Sequence, residues 1–222
     1  MNKFVQTVLL VEIILSLSIG TCWVQAEVDL PAPAPSAGVP QTALLTPPMD
    51  GGPVVVRAAF HLQDINEIDE EAETFAFTGI LTLTWKDRRQ AFDPKEAQAE
   101  EKMYSGHYQF NELSPAWYPQ VILANESGLY EKHSVLLRVK PDGTSILVET
   151  VNGVAEVTLD LRRCPFDSQR LEAVFEVLGF DTSEVVLEAE PVPPITGKLK
   201  IRTPQWILTN LDVSTRERSV FY

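Results

Sequence analysis

The sequence predicts an all-β domain built as an antiparallel β-sandwich. Three observations carry this. Several short segments alternate apolar and polar residues with a period of two, turn-forming residues separate them, and no long stretch repeats apolar residues at helical spacing.

The first element is not part of the sandwich. Lys3 precedes an apolar run from Val8 to Ile19, and small residues close it at Val24-Gln25-Ala26. That order reads as an export signal over residues 1–26, cleaved after Ala26. The run falls short of the about 20 apolar residues a spanning helix needs, and Glu12 interrupts it. Residues 27–53 follow as a leader rich in Pro, Ala and Gly, with prolines at 31, 33, 35, 40, 47, 48 and 53. Such a composition cannot bury enough surface to order itself and is expected to be a flexible linker. The sandwich is assigned to residues 54–222.

From Phe75 to Trp85, Phe75, Phe77, Leu81, Leu83 and Trp85 alternate with Thr78, Thr82 and Thr84, which predicts a strand with one wet face. Ala155, Val157, Leu159 and Leu161 alternate with Glu156, Thr158, Asp160 and Arg162 and predict another. A third is expected over Leu171–Val177. Two strand-like runs between Ser134 and Val151 flank Pro141-Asp142-Gly143, where Pro fixes φ and Gly supplies a positive one, so a hairpin is expected. Pro94 to Lys102 places Pro at a first helical position before good helix formers and predicts one short helix.

The formal net charge of −13 repels nucleic acid and anionic lipid, and loss of Lys3 and Glu12 together leaves it unchanged. Cations or protons fit that field as partners. Of the two cysteines, Cys22 goes with the signal and Cys164 remains, so no intrachain disulfide is expected. His61, His107 and His133 are far apart and form no metal pair. There is no Gly-x-Ser-x-Gly elbow and no phosphate-cradling Gly loop, so no enzyme activity, no cofactor and no metal are expected. A secreted hydrolase on a sandwich would need an acid/base pair or a metal constellation, and neither is visible. Asp64, Glu67, Asp69, Glu70, Glu71 and Glu73 crowd what reads as one loop. That crowding suits either a solvated turn or a carboxylate cluster sensitive to protons or cations. Asn125-Glu126-Ser127 is a glycosylation triplet where a eukaryotic secretory pathway acts on it.

Four segments in order carry a resemblance: Ala72-Glu73-Thr74-Phe75, the run WKDRRQAFDP from Trp85 to Pro94, Trp117-Tyr118-Pro119 with Asn125, and RRCPFDSQ from Arg162 to Gln169. Together, over about Val54 to Trp206, they resemble the extracellular ligand-binding domain of pentameric, Cys-loop type ligand-gated ion channels, most nearly the prokaryotic proton-gated members. The second and fourth segments are the specific ones. Within them Trp85 ends a buried alternation, and Asp87 and Arg88 are expected to pair at a strand end.

The resemblance implies an immunoglobulin-like sandwich, exported to the periplasmic or extracellular face of the membrane and assembled as a homopentamer. It would bind a small molecule or protons at subunit interfaces and bias a transmembrane pore domain that these residues do not contain. It implies that the loop with Pro165 and Phe166 faces that domain, with Arg163, Asp167 and Glu70 coupling binding to gating. Glu73 takes the place of a proton-sensing carboxylate. The ring of aromatic side chains that holds ammonium ligands in animal receptors is replaced here by Ile80, Ala124 and Leu178, with Phe180 nearby, so a quaternary amine is not expected. Leu171 stands where the second cysteine of the covalent loop belongs. By the same resemblance the sandwich is incomplete, stopping before the family's last strand. A soluble secreted or periplasmic sandwich binding protein without channel activity is the alternative; a five-fold assembly separates the two.

Overall fold

The computed structural model describes residues 4–17, 46–106, 117–159, 168–191 and 206–220. In chain order the elements are β1 (Phe4–Leu17), β2 (Val54–Asp69), β3 (Thr74–Lys86), a 3-10 turn (Arg88–Gln90), α1 (Pro94–Ala97), β4 (Lys102–Gly106), β5 (Val121–Leu123), β6 (Glu126–Val139), β7 (Thr144–Glu156), β8 (Ser168–Val177), β9 (Val185–Ala189) and β10 (Trp206–Val220). They form two sheets. One has six strands in the order β4-β6-β7-β3-β2-β9, and the other has four in the order β10-β1-β8-β5.

The period-two pattern does what it predicts in the larger sheet. Along β3 and β7 every second residue is buried. Their inward side chains meet those of β8 in one core, where the Phe175 ring lies 5.4 Å from Phe60 and 6.3 Å from Phe77. Gly79 is obligatory beside it, because a Cβ there would fall 2.3 Å from the Phe60 ring. Trp85 and Trp117 are both buried and stack edge-on at 6.0 Å, with Phe180 against Trp117 at 5.9 Å. The hairpin at Pro141-Asp142-Gly143 joins β6 to β7 as expected. Gly143 takes φ +83°, and its backbone packs so closely that a Cβ would meet the Asp87 carbonyl.

In the full chain residues Phe4–Leu17, the segment read as an export signal, form β1, which pairs with β10 on one side and β8 on the other. Val8, Leu9, Leu10, Val11 and Ile13 are all buried. A strand covered on both faces needs a continuous apolar run, and that is also what an export signal supplies. One molecule cannot use the segment both ways. The sandwich is not wholly antiparallel, since β9 runs parallel to β2.

The strand expected at 155–161 is the end of β7, which stops at Glu156. There the Val157 N–H turns away to the Glu73 carbonyl at 2.8 Å. The helix stops at Ala97 because Gln98 enters the left-handed region and its N–H closes on the Pro94 carbonyl. Asp87 does not pair with Arg88. Fully buried, it accepts from the backbone and guanidinium of Arg89, while Arg88 reaches Asp50 at 2.9 Å. Asp64, Glu67 and Asp69 belong to β2 and not to a loop, and Asp69 builds the following turn by accepting from the N–H groups of Glu71 and Ala72.

Candidate ligand-binding groove and coupling end

At one end of the sandwich the β2–β3 turn, the start of β6 and the outer face of the four-stranded sheet enclose a groove of about 770 Å³. Glu73 lies on its wall, at φ +52°. That conformation is costly for a residue with a Cβ and is held by the bond from Val157 to the Glu73 carbonyl.

Asn125 holds the groove's floor. Its amide nitrogen donates to the Glu156 carbonyl at 3.0 Å and the Glu172 carbonyl at 2.8 Å, and its oxygen accepts from the Val174 N–H at 2.9 Å. Glu156 ends β7 in one sheet, and Glu172 and Val174 sit on β8 in the other, so one side chain ties the two layers together. Its nitrogen is committed to the fold.

The opposite wall carries Arg170, Arg216 and Arg218. They stand half-exposed over carboxylates of the same sheet, at 3.5 Å for Arg170–Glu12, 3.9 Å for Arg216–Glu172 and 3.8 Å for Arg218–Glu176. With Glu73 and Glu156 across from them, the groove is lined by charges of both signs, suited to a small polar or charged molecule. Sequence reading singled out Glu73 but not the arginines. Their signal was the i, i+2 spacing of Arg216 and Arg218, which puts both on one face of a strand.

The other expected residues are dispersed. Ile80 is on the outward face of β3, while Ala124 packs on the outer face of the opposite sheet beside Val8, Leu10 and Val174. Leu178 is exposed just past β8, and the Phe180 ring is against Trp117. Within one chain these four do not converge. Glu70 is exposed in the β2–β3 turn. Arg163, Pro165, Phe166 and Asp167 lie outside the described residues, as do Cys164 and His107.

The family described as neurotransmitter-gated ion-channel ligand binding domain matches residues 42–220, which leaves β1 outside the match. The chain is 34% identical over 144 residues to a proton-gated ion channel of Gloeobacter violaceus, covering 65% of this chain and 38% of that protein. It is 24% identical over 181 residues to the gamma-aminobutyric acid receptor subunit beta-4 of Gallus gallus, covering 78% and 35%. To the pH-sensitive chloride channel 2 of Anopheles gambiae it is 27% identical over 171 residues, covering 75% and 27%. The chain thus spans less than two fifths of the length of these relatives. A sandwich matched over residues 42–220 makes this chain a member of the neurotransmitter-gated ion-channel ligand-binding domain family, which is non-enzymatic.

Proposed function

We propose that this chain is the extracytoplasmic sensor of a pentameric ligand-gated channel, taking a small effector or protons and biasing a membrane pore that the described residues do not include. The observation that carries the reading is the family match over a sandwich whose Glu73 sits strained on the wall of a charged groove. Two of the relatives bear names tied to acid, one a proton-gated channel and the other a pH-sensitive one, which supports protons as the effector class. No helix among the described residues is long and apolar enough to cross a membrane.

In this reading five copies form a ring, and Ile80 of one copy faces the Ala124, Leu178 and Phe180 region of the next. Glu70, Arg163, Pro165, Phe166 and Asp167 form the end that touches the pore. Residues 1–26 either direct export and are removed, so that the secreted protein starts at Glu27, or stay in place as β1; amino-terminal sequencing of the secreted protein separates the two.

Glu73→Gln is the test. In a channel made by joining the full chain to the pore of the proton-gated relative, the variant shifts the acid dose–response. An unchanged pH profile overturns Glu73 as the sensor. A sedimenting mass of one subunit, in place of five, favours the soluble binding protein instead.

A further inference from the structure

Inside the core, far along β7 from the groove, lies a charge pair that the proposed sensor does not use. Glu149 is on the inward face of β7 with its side chain fully buried, and the Lys132 ammonium stands 3.1 Å and 3.0 Å from its two oxygens. The Lys132 side chain is itself only 8% exposed.

The register of β6 explains how a lysine comes to be there. Tyr130 and Lys132 lie opposite Gly153 and Val151, both inward, whereas Ser134 lies opposite Thr150, which points out, and Val135 opposite Glu149. A bulge at His133 therefore changes which residues face in, and Lys132 and Val135 both end on the core side. The pair spans this irregularity and fastens it to β7.

The surroundings offer little else that is ionisable. Directly across on β3 is Leu81, and the inward face of β3 carries Phe75, Phe77, Gly79, Leu83 and Trp85 besides. β8 presents Gln169, Leu171, Ala173, Phe175 and Val177, and the rest of β7's inward face is Ser145, Leu147, Val151, Gly153 and Ala155. Tyr130, on β6, is the one further titratable side chain on those inward faces among the described residues. Glu131 and His133 pair with each other on the exposed side.

We propose that Glu149 and Lys132 form a proton-binding site within the sandwich, a latch whose charged form holds the β6 bulge against β7 and whose protonated form lets Lys132 leave. A buried ammonium that loses its counter-ion cannot remain desolvated, and the bulge beside it is the place where β6 can give way. Burial pushes the Glu149 carboxyl above the ordinary carboxylate range, more than attraction and hydrogen bonding from Lys132 bring it down. The folded protein therefore takes up this proton before a free carboxyl would. Relative to the unfolded chain the group favours the folded state fully below the ordinary value of 4.5, and that contribution is lost as pH rises through the folded value, a global balance separate from the local hold of Lys132 on the bulge.

The test uses the full chain with carbon-13-labelled glutamate, following the carboxyl resonance that disappears in Glu149→Gln, together with amide exchange along β6. The expected result is a midpoint above 4.5, accompanied by a rise of about tenfold in exchange at Glu131–Val135, relative to unstructured peptide at the same pH. The double variant Glu149→Leu with Lys132→Met keeps the core apolar and should fold, and in it both changes vanish. A midpoint at or below 4.5, or an exchange change that survives in the double variant, overturns the latch. Glu73→Gln leaves the Glu149 midpoint where it was, so a failure of the groove as sensor and a failure of this site give different results.

Discussion

The two sheets of the sandwich are assembled from different kinds of information. In the six-stranded sheet, β2 with β3 and β6 with β7 are chain neighbours closed by tight turns, and their strands show one wet face each. The four-stranded sheet joins β10, β1, β8 and β5, segments from opposite ends and the middle of the chain. Its central strand β1 is buried on both faces and therefore shows no alternation. Local pattern and turn chemistry are enough to build the first sheet. The second depends on which distant segment fills the slot between β8 and β10.

The largest expected effect comes from emptying that slot. A chain beginning at Glu27 lacks Leu9, Val11 and Ile13, each worth about 2 kcal/mol by burial. It leaves β8 and β10 with unpaired edges facing a gap. We expect it to unfold at lower urea than the full chain or to self-associate, read by denaturation and size-exclusion chromatography. Equal stability of the two forms, both monomeric, would mean that β1 is dispensable and the contrast between the sheets is false.

Asn125 tests the join between the sheets rather than either one. Asn125→Ala removes three hydrogen bonds and leaves two carbonyls and an N–H to find water at a part-buried seam. The expected loss is about 3 kcal/mol in urea denaturation, with exchange rising at both Val157 and Val174. A loss confined to one sheet would show that the layers are held together elsewhere.

The same contrast explains what was legible beforehand. Phe75–Trp85 and the 141–143 turn could be read directly, because alternation and a Gly with positive φ are local properties of the chain. The Asp87–Arg88 pairing was misassigned because spacing cannot tell neighbouring arginines apart; only the turn geometry that points Arg89 back at Asp87 does so. Of the groove, Glu73 was found through a family resemblance, while Arg170, Arg216 and Arg218 were not. Their meeting requires β8 and β10 to flank a common strand, and no local pattern encodes that. Glu149 was not singled out in the sequence, and it is buried. Its parity becomes clear only once Leu147 and Val151 are fixed as inward.

The smallest effect sharpens the comparison from the side of the sheet that is best determined. Lys86 and Asp142 pair at the hairpin between β6 and β7, with side chains 46% and 61% exposed. The Lys86 hydrogen bond, with those from Thr144, holds the Asp142 carboxyl well below the usual range. A lowered value means that the pair's contribution is present above the ordinary 3.8 and is lost as pH falls through the folded value. Yet both groups stand in water, where screening and the entropy of two mobile side chains cancel most of the attraction. Lys86→Met should therefore leave the urea midpoint unchanged at neutral pH, and a double-mutant cycle with Asp142→Asn should give a coupling indistinguishable from zero. The turn is already fixed by Gly143 and by the bonds between Lys140 and Thr144 and between Gly143 and Lys140. A clear coupling would show that side-chain charge, and not backbone geometry, sets the register of the six-stranded sheet.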